Sequence, residues 1–273
     1  VNETYQHGGY ESFYINDPKR RHIHKASVRD RLLHHAVYRI LYPFFDRTFI
    51  AGSFSCRNNK GMHRAIDHFK SMACQVSKNH TVTCWVLKCD IKKFFASINH
   101  TILINTLSEY IPDKKIIWLM NNIIDSFPTG CPLGNLTSQF FSNIYMNVFD
   151  QFVKHELKVK FYIRYVDDFV FLFTDKNYLE NLIPEIHKFL SEKLKLTLHP
   201  DKVFLQTVAS GVDFLGWKHF TNHRILRKTT RKRMLRRIAV NPTNETLQSY
   251  LGLLKHGNGI KMKEELLNLY WLW

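Results

Sequence analysis

The segment FYIRYVDDFVFLF, residues 161–173, places an acidic pair between two apolar runs. Two runs of β-prone aromatic and aliphatic residues flank the tripeptide VDD, a pattern that predicts two strands joined by a tight turn. Asp167 and Asp168 therefore lie in the turn of a hairpin. Adjacent acids at such a place are more often plain turn formers than functional groups. The pair points to a site only if another carboxylate joins it.

A further carboxylate follows another short strand. The run TCWVLKC, residues 83–89, is β-prone, and Asp90 stands at its end. A charged carboxylate beside apolar strand residues is costly unless it is paired, hydrogen-bonded or bound to a cation. If the two strands are neighbours, Asp90 and Asp167 converge at one sheet end, where hard oxygen ligands suit two Mg²⁺ ions. The alternative for Asp90 alone is a turn former or a helix N-cap.

Helices and strands alternate on either side of these two segments. Residues 1–28 are expected to form strands and turns, and FPTGCPLGN, residues 127–135, predicts a loop. Apolar residues at helical spacing predict helices over residues 30–45, 62–76, 102–110, 136–152 and 183–194. Pro184 fits only the first turn of the last helix, and further strands are expected over residues 202–206 and 213–217. This mixture predicts an α+β fold.

The composition excludes several classes of protein. With 45% hydrophobic residues, including 21 Phe and 12 Tyr, the 273-residue chain carries too much apolar surface to be disordered over most of its length. Lys and Arg number 39 against 23 Asp and Glu, and the net charge of +16 favours a polyanionic partner, nucleic acid before an acidic membrane surface. A soluble protein that is merely basic is the other interpretation.

The cysteines and the N-terminal residues indicate in which cellular compartment the protein is expected. Five cysteines without paired CxxC spacing predict reduced, mostly buried thiols in a cytosolic protein, and no zinc site. No apolar run approaches the roughly 20 residues of a membrane span. The first residues, VNETYQHGGY, lack the order of a signal peptide and an initiator Met, so we expect a fragment or a processed chain.

A run of cations follows residue 220. Leucines beyond it predict a small helical unit. A charge run is usually a solvated face, but cations can also meet phosphates without reading bases. On the second interpretation, the nucleic-acid-binding residues are Arg227, Lys228, Arg231, Lys232 and Arg236.

Five ordered blocks resemble the palm of a reverse transcriptase. They are DIKKFF (90–95), GCPLGNLTSQ (130–139), YVDD (165–168), LTLHPDK (196–202) and FLGW (214–217). Residues 20–50 further resemble the fingers and early palm of bacterial enzymes related to group II introns, and SYLGLLKHGNG, residues 249–259, resembles their thumb. The resemblance covers nearly the whole chain. Because it begins inside the fingers, we expect an N-terminal extension of the relatives to be missing.

The resemblance implies a right-hand polymerase of the α+β class. It implies fingers and early palm over residues 1–82, a palm with an antiparallel sheet backed by helices over residues 83–220, and a short, basic, helical thumb over residues 221–273. The implied activity is RNA-directed DNA synthesis. In this nucleotidyl transfer a primer 3′-hydroxyl attacks a dNTP with the help of two Mg²⁺ ions, for which Mn²⁺ can substitute.

The resemblance also assigns roles to single residues. Asp90, Asp167 and Asp168 match the catalytic metal ligands of the family, and the backbone carbonyl of Ile91 completes that site. Lys202 matches the lysine proposed to protonate the departing pyrophosphate. A solvated surface lysine is the alternative for Lys202.

Other positions match contacts to the incoming nucleotide. Phe95 matches the steric gate, whose ring clashes with a ribose 2′-hydroxyl, and a core phenylalanine is the alternative. Arg21 matches a fingers cation that grips the triphosphate. Arg20 or Lys19 are the alternatives for that role.

The loop GCPLGNLTSQ indicates the subtype. Most relatives have Gln where this chain has Leu133 and Pro where it has Gln139, and the change resembles the reverse transcriptases of diversity-generating retroelements. Those enzymes copy a template RNA with errors at adenines. Leu133, Gly134 and Gln139 are then expected to face the dNTP, and an aliphatic Leu133 loosens nucleotide selection by removing a polar contact. A packing variant is the alternative for Leu133.

The partners that follow are template RNA, nascent cDNA and dNTPs, with a small basic accessory protein as in retroelement relatives and no membrane. We expect a bacterial or phage-encoded, cytoplasmic enzyme. The alternatives are a retron, group II intron or phage-defence reverse transcriptase and, outside enzymes, an RNA-binding protein with an idle polymerase fold. The intact set of aspartates favours an active enzyme.

Overall fold

Nine strands and ten helices are built from residues 3–16 and 19–271, the part of the chain that the computed structural model describes. The strands are β1 (Tyr10–Ile15), β2 (Arg21–Ala26), β3 (Trp85–Asp90), β4 (Tyr162–Tyr165), β5 (Asp168–Phe173), β6 (Phe204–Thr207), β7 (Val212–Phe214), β8 (Trp217–His219) and β9 (Arg224–Leu226). The helices are α1 (Val28–Phe45), α2 (Met62–Val76), α3 (Phe94–Ser97), α4 (His100–Tyr110), α5 (Lys114–Asp125), α6 (Leu136–Gln151), α7 (Lys176–Lys193), α8 (Lys228–Val240), α9 (Asn244–Leu254) and α10 (Ile260–Trp271). A π-helical turn, Phe152–Glu156, follows α6, and a 3₁₀ turn, Pro200–Lys202, precedes β6.

The strands form three sheets. β1 and β2 form an antiparallel hairpin, and β7, β8 and β9 form an antiparallel meander. The largest sheet has the order β4-β5-β3-β6, with β4 and β5 antiparallel and Tyr165 opposite Asp168. The hairpin predicted around VDD is therefore present, but its turn consists of Val166 and Asp167, and Asp168, which is expected in the turn, is the first residue of β5. Strand β5, which begins at Asp168, lies directly beside β3, which ends at Asp90.

Contacts within the chain divide it into two compact units. Unit 1 holds the described residues of Val1–Gly61, together with Lys88–Phe171 and Glu180–Val203. Unit 2 holds Met62–Leu87, Leu172–Leu179 and the described residues of Phe204–Trp273. Each unit is assembled from segments that are distant in the sequence. The division into fingers, palm and thumb at residues 82 and 220 follows other bounds and stays a prediction.

Helix α6 runs through the core of unit 1. Its residues Phe141, Tyr145 and Phe149 are each at most 2% exposed, and buried side chains surround the helix on every face. A helix buried all round must pair its polar side chains internally. Asp150 does so through an ion pair with Arg164 of β4, in which both side chains are fully buried.

Helix α1 buries only part of the apolar series that predicts it. Val37 and Phe45 lie in the core, whereas Ile40 is 73% exposed and Phe44 48% exposed. The spacing of apolar residues therefore predicts this helix correctly, but it predicts the buried face only in part.

Helices α8, α9 and α10 of unit 2 close on a small apolar core. Met234 and Ile238 of α8 pack with Leu247, Leu254 and Leu266 of the two following helices. The helical unit expected from the leucine pattern is present. The run of cations also becomes helical, because Met234 and Ile238 recur four residues apart and give it a buried face.

The predicted strand over residues 213–217 is wrong. The structure has a hairpin there, in which Leu215 and Gly216 connect β7 to β8 with φ of 50° and 85°. Positive φ at both central residues is typical of a tight two-residue hairpin turn. The strand expected from Lys202 is also shorter than predicted, because Lys202 lies in the 3₁₀ turn and β6 begins at Phe204.

Helix α7 begins earlier than predicted. Pro184 therefore lies inside it rather than in its first turn. The proline ring removes one backbone hydrogen bond, but Leu179, Leu182 and Ile186 are buried along the helix, and this burial offsets the loss. No element is predicted from the sequence where α5 lies.

The described part of the chain has no helix with the length and apolarity of a bilayer-spanning segment. Its five cysteines are free, and Cys84, Cys89 and Cys131 are buried, as expected for buried thiols. Burial raises the pKa of the Cys84 and Cys131 thiols to about 12. These two thiols therefore stay protonated at neutral pH.

Candidate active site

The ends of β3 and β5 bring two of the predicted carboxylates together. Asp90 is the last residue of β3, and Asp167 occupies the turn immediately before β5. The backbone N–H of Ile91, next to Asp90, donates to the carbonyl of Asp167 at 3.2 Å. Burial raises the pKa of the Asp167 carboxyl, and the negative charge of Asp90 raises it further. Asp90 and Asp167 therefore meet at one sheet end, as the sequence predicts.

Lys202 belongs to the same cluster. Its Nζ donates to Asp90 Oδ1 at 2.8 Å. The main chain sets this position, because His199 N–H donates to the carbonyl of Asp90 at 2.8 Å and Lys202 N–H donates to that of His199 at 3.1 Å. The block LTLHPDK thus folds back onto the end of β3. Its ion pair with Asp90 distinguishes Lys202 from a solvated surface lysine.

Asp168 has a different partner. Lys88 Nζ lies 3.3 Å from Asp168 Oδ2, and Asp168 Oδ1 is buried without a hydrogen-bond partner among the described residues. Burial raises the pKa of this carboxyl to about 7, against the opposing charge of Lys88. Sequence reasoning misses Lys88, although its position two residues before Asp90 places both side chains on the same face of β3.

The donor set fits a hard divalent cation in part. Within the described ranges, no three His, Cys, Asp or Glu side chains form a group that could hold a metal ion, so the three aspartates do not make one ready-made cage. Mg²⁺, however, is usually bound through one or two carboxylates, with water and substrate phosphates as the other ligands. Asp90 and Asp167, with the carbonyl of Ile91, supply oxygens of this kind. Asp168 Oδ1, which is buried and accepts no hydrogen bond from the described part of the chain, is a further oxygen available to a cation.

The hairpin β1–β2 brings a cation within electrostatic range of this cluster. The positive charge of Arg21, the first residue of β2, lowers the pKa of Asp167. Arg20 is engaged differently, because its guanidinium lies 4.1 Å from the ring centroid of Tyr14. Lys19 is exposed ahead of the strand. The charge of Arg21, one of the three predicted alternatives, thus acts on a site carboxylate.

Phe95 lies beside the Gly- and Pro-rich loop. Phe94 is buried in the core, whereas Phe95 is only half-buried, which leaves the Phe95 ring available for a steric gate. The N–H of Cys131 donates to the carbonyl of Phe95 at 2.7 Å. Gly130 makes this approach possible, since it has φ of 68° and a Cβ there would overlap the Phe95 carbonyl.

The predicted nucleotide-facing loop is pinned to β2. His24 N–H donates to the carbonyl of Leu133 at 2.8 Å, and Asn135 Nδ2 donates to the carbonyl of His24 at 2.8 Å. Gly134 has φ of 111°, and a Cβ there would come within 2.7 Å of Ile23 Cγ2. Leu133 and Gly134 are thus held against the strand that carries Arg21. Sequence reasoning misses Asn135.

Gln139 lies one turn into α6 and is exposed. Leu133 is half-buried. The structure therefore leaves both predicted subtype positions partly or fully accessible. Their contacts to a dNTP stay a prediction.

Ion pairs divide the five predicted nucleic-acid-binding residues, which lie on α8 or at its N-cap, into two groups. Arg227 pairs with Asp213 at 2.7 Å, and Arg231 pairs with Glu265 at 2.8 Å. Lys228, Lys232 and Arg236 are exposed, and no ion pair engages them within the described chain. They recur four residues apart, so they form one row on the helix surface.

The amino-acid sequence matches one protein-family profile over residues 16–219. That family is described as reverse transcriptase (RNA-dependent DNA polymerase). The chain belongs to the reverse transcriptase family. The prediction of a nucleotidyltransferase of this class is thereby confirmed at the level of the family, and with it a general requirement for divalent metal ions.

Several curated proteins resemble this reverse transcriptase sequence. Protein YkfC of Escherichia coli K12 is 25% identical over 267 residues, which cover 82% of this chain and 68% of YkfC. The group II intron-encoded protein LtrA of Lactococcus lactis is 27% identical over 156 residues, covering 54% of this chain and 25% of LtrA. The chain thus spans about two thirds of YkfC and a quarter of LtrA.

Solved structures of the same fold include telomerases. Apo telomerase from Candida tropicalis matches 99% of this chain and 58% of its own with a TM-score of 0.62 and 13% identity. Telomerase from Candida albicans, solved with a fragment of telomeric RNA, matches 98% of this chain and 55% of its own, also with a TM-score of 0.62 and 13% identity. The predicted right-hand polymerase fold of the α+β class is confirmed.

Proposed function

We propose that this chain catalyses RNA-directed DNA synthesis, adding dNTPs to the 3′-hydroxyl of a primer on a template RNA. One observation carries the proposal. Asp90 ends β3, Asp167 lies in the turn before β5, and the two meet at one sheet end, where Ile91 N–H donates to the Asp167 carbonyl at 3.2 Å and Lys202 Nζ donates to Asp90 at 2.8 Å. Family membership and the RNA-bound telomerase of the same fold support the choice of template.

The side chains of the cluster have different proposed roles in the reaction. Asp90 and Asp167, with the carbonyl of Ile91 and the buried oxygen of Asp168, are proposed to hold two Mg²⁺ ions, for which Mn²⁺ can substitute. When bound, the ions lower the pKa of the attacking hydroxyl and neutralise charge on the leaving pyrophosphate. Lys88 neutralises Asp168 from the opposite side.

The remaining residues act on the nucleotide. Lys202 holds a proton at Nζ beside the cluster and is proposed to supply it to the leaving pyrophosphate. Arg21 is proposed to bind the triphosphate through its guanidinium, a group suited to phosphate oxygens. Phe95 is proposed to exclude ribonucleotides by contact with the 2′-hydroxyl.

We further propose the error-prone subtype of diversity-generating retroelements. Its support is the aliphatic Leu133, half-buried in a loop that His24 and Asn135 fix in place, with Gln139 exposed nearby in the chain. On this proposal the enzyme is cytoplasmic and works with a small basic accessory protein. The similarity to LtrA favours one competing assignment, a group II intron reverse transcriptase.

The activity is tested with purified protein, an RNA template annealed to a DNA primer, dNTPs and Mg²⁺. We expect primer extension that Asp167→Asn abolishes. The control is Asp113→Asn, which changes an exposed helix-capping aspartate of α5 in the same way. Extension that is undiminished in Asp167→Asn would overturn the catalytic assignment, and RNA binding without any extension by the unaltered chain would favour the idle fold.

The subtype is tested by sequencing the cDNA. We expect errors concentrated at template adenines, and fewer of them in Leu133→Gln, because an amide at this position restores a polar contact to the nucleotide. The control is Leu32→Gln, which changes an exposed leucine of α1. Faithful copying at adenines by the unaltered chain would contradict the subtype and leave the polymerase proposal standing.

A further inference from the structure

The turn that carries Asp167 has an unfavourable backbone conformation. Val166, the residue before it, has φ of 60°. This left-handed region is rarely occupied by residues other than Gly, Asn and Asp, and for a β-branched side chain it is an outlier. Such a conformation persists only where the surrounding structure holds it. A neighbouring group must therefore stabilise the backbone of Val166 in this conformation.

Arg164 contacts this turn directly. Its side chain is fully buried in β4, and its Nη1 donates to the carbonyl of Val166 at 3.1 Å. Because the carbonyl of Val166 belongs to the peptide bond that leads into Asp167, this contact acts on the backbone that orients the Asp167 carboxyl. It is a hydrogen bond from a charged donor, which is stronger than one between neutral groups.

Asp150 of α6 fixes the guanidinium on its other edge. Arg164 Nε donates to Asp150 Oδ1 at 2.8 Å, and Nη2 donates to Asp150 Oδ2 at 2.7 Å. Two parallel bonds of this kind fix the orientation of the guanidinium plane. The Val166 carbonyl is therefore bonded to a donor that cannot rotate away.

The rest of the guanidinium is bonded as well. Nη2 donates to Ser53 Oγ at 3.1 Å, and Nη1 donates to Asn143 Oδ1 at 3.3 Å. The backbone of Arg164 is fixed too, because its N–H donates to the carbonyl of Gly52 at 2.9 Å and its carbonyl accepts from Phe54 N–H at 3.0 Å. Arg164 thus connects the turn to α6 and to the segment before α2.

We propose that Arg164 is a positioning residue for nucleotidyl transfer: clamped by Asp150, it holds the Val166 carbonyl and so fixes Asp167 beside Asp90. The inference rests on the proposed polymerase function. Stability alone does not explain the pair, since a buried ion pair can often be replaced by apolar residues of similar volume without loss of stability. Lysine cannot reproduce the geometry, because one ammonium does not bond both Asp150 oxygens and the turn together.

The first test compares Arg164→Lys with Tyr162→Phe. Tyr162 OH donates to the same Asp150 Oδ1 at 2.8 Å but is not bonded to the turn, so it is a matched control for damage to the buried cluster. We expect Arg164→Lys to lower kcat by about 100-fold, the effect of a small misplacement of a catalytic group, with little change in KM for dNTP or in RNA affinity. Tyr162→Phe should leave kcat close to that of the unaltered chain.

A second readout does not depend on activity. Amide hydrogen exchange of residues 165–168, measured without metal or nucleic acid, should be faster in Arg164→Lys than in Tyr162→Phe. If the unaltered chain extended no primer, the polymerase proposal would fail, while this exchange experiment would still test whether Arg164 holds the turn. Equal exchange in both variants would overturn the positioning role.

A third variant separates positioning from folding. Asp150→Asn combined with Arg164→Met leaves no unpaired buried charge and keeps an acceptor for Tyr162 OH. We expect this pair to fold with a near-normal melting temperature and still to lose kcat, because the Val166 carbonyl has no donor. Adding Val166→Asn, a residue that adopts positive φ more readily, should restore part of the lost kcat. Full activity in the folded double variant, or no gain on adding Val166→Asn, would contradict the inference.

Discussion

Ion pairs between lysines and aspartates hold the side chains of the site in place. Each lysine of the cluster contacts one carboxylate, Lys88 with Asp168 and Lys202 with Asp90. Asp167 makes neither of these ion pairs. Burial and the charge of Asp90 raise its pKa, and the charges of Lys202 and Arg21 oppose this rise. Burying carboxylates together is costly unless cations compensate them. The cluster therefore combines a half-buried acidic centre with lysines that balance its charge.

Replacement of Lys202 is expected to slow nucleotidyl transfer. Lys202→Gln should lower kcat by about 100-fold, within the range of general-acid contributions, because an amide N–H is too weakly acidic to protonate the leaving pyrophosphate. KM for dNTP should change little. The control is Lys193→Gln, an exposed lysine at the end of α7. A rise in KM with kcat unchanged would assign Lys202 to binding rather than to proton transfer.

Replacement of Gly130 is expected to destabilise the folded chain. Gly130→Ala should destabilise the chain by about 1–2 kcal/mol or more, because the positive φ alone carries a cost of this size and the new Cβ would overlap the Phe95 carbonyl. Urea unfolding measures the difference. The control is Gly252→Ala in α9, which meets nothing within 4 Å and should stabilise the helix by about 1 kcal/mol. A neutral Gly130→Ala would mean that the loop moves freely away from α3.

At the scale of elements, helix α1 is tied to the segment before β1 by a buried histidine. His34 is 1% exposed, and its Nε2 lies 3.2 Å from Nε2 of His7. Burial lowers the pKa of His34 to about 4, with a further decrease from His7 and His35 and an opposing effect of Asp30. The folded chain therefore keeps His34 neutral, so that one ring can donate and the other accept.

This arrangement predicts how stability depends on pH. An unfolded histidine titrates near pH 6.5, so as pH falls the unfolded chain takes up the proton before the folded chain does. The contribution of His34 is thus complete above about pH 6.5 and decreases by about 3 kcal/mol as pH falls to about 4. Unfolding curves should show this slope in the unaltered chain and in His35→Gln, an exposed neighbour, and lose it in His34→Gln. An equal slope in all three would contradict it.

How far the sequence predicts these elements depends on the kind of signal. The strands β4 and β5 and the helix α6 follow from apolar periodicity, and Asp90 and Asp167 follow from the cost of a charge beside an apolar strand. The same cost applies to Arg164 and Lys88, but only an acid at such a place matches a metal ligand. Partners such as Asp150, on another element, require knowledge of which elements are neighbours. Local pattern does not contain that information.

Backbone conformation limited the prediction in two other places. FLGW looks like a strand because its side chains are apolar, yet Leu215 and Gly216 adopt positive φ and form a turn. Pro184 is typical of the first turn of a helix, yet α7 continues on both sides of it because buried leucines before and after Pro184 stabilise the helix. In both cases tertiary packing outweighs the local propensity.

At the scale of the whole molecule, the net charge of +16 governs interactions with polyanions. The exposed row Lys228, Lys232 and Arg236 on α8 lies on one helix face without ion pairs in the described chain, whereas Arg231 is neutralised by Glu265. Non-specific binding of this kind releases counterions and weakens as salt rises. The row is therefore expected to set part of the salt dependence of RNA binding.

Binding measured over a range of salt tests this expectation. Replacing all three row residues with Gln should weaken RNA binding to a similar extent for every sequence, and should reduce the slope of log K against log salt by about one per contact. Arg231→Gln should reduce it less. An unchanged slope in the triple variant would place the nucleic acid elsewhere on the chain.

A divalent ion shared by Asp90 and Asp167 is the basis of the proposed activity. The most direct measurement is anomalous diffraction from crystals of the chain with Mn²⁺, an RNA template, a DNA primer and a dNTP. We predict an anomalous peak within about 2.1–2.2 Å of a carboxylate oxygen of each aspartate, the coordination distance of a small hard cation. A peak bound to only one of the two aspartates, or located away from both, would rule out shared coordination of the ion.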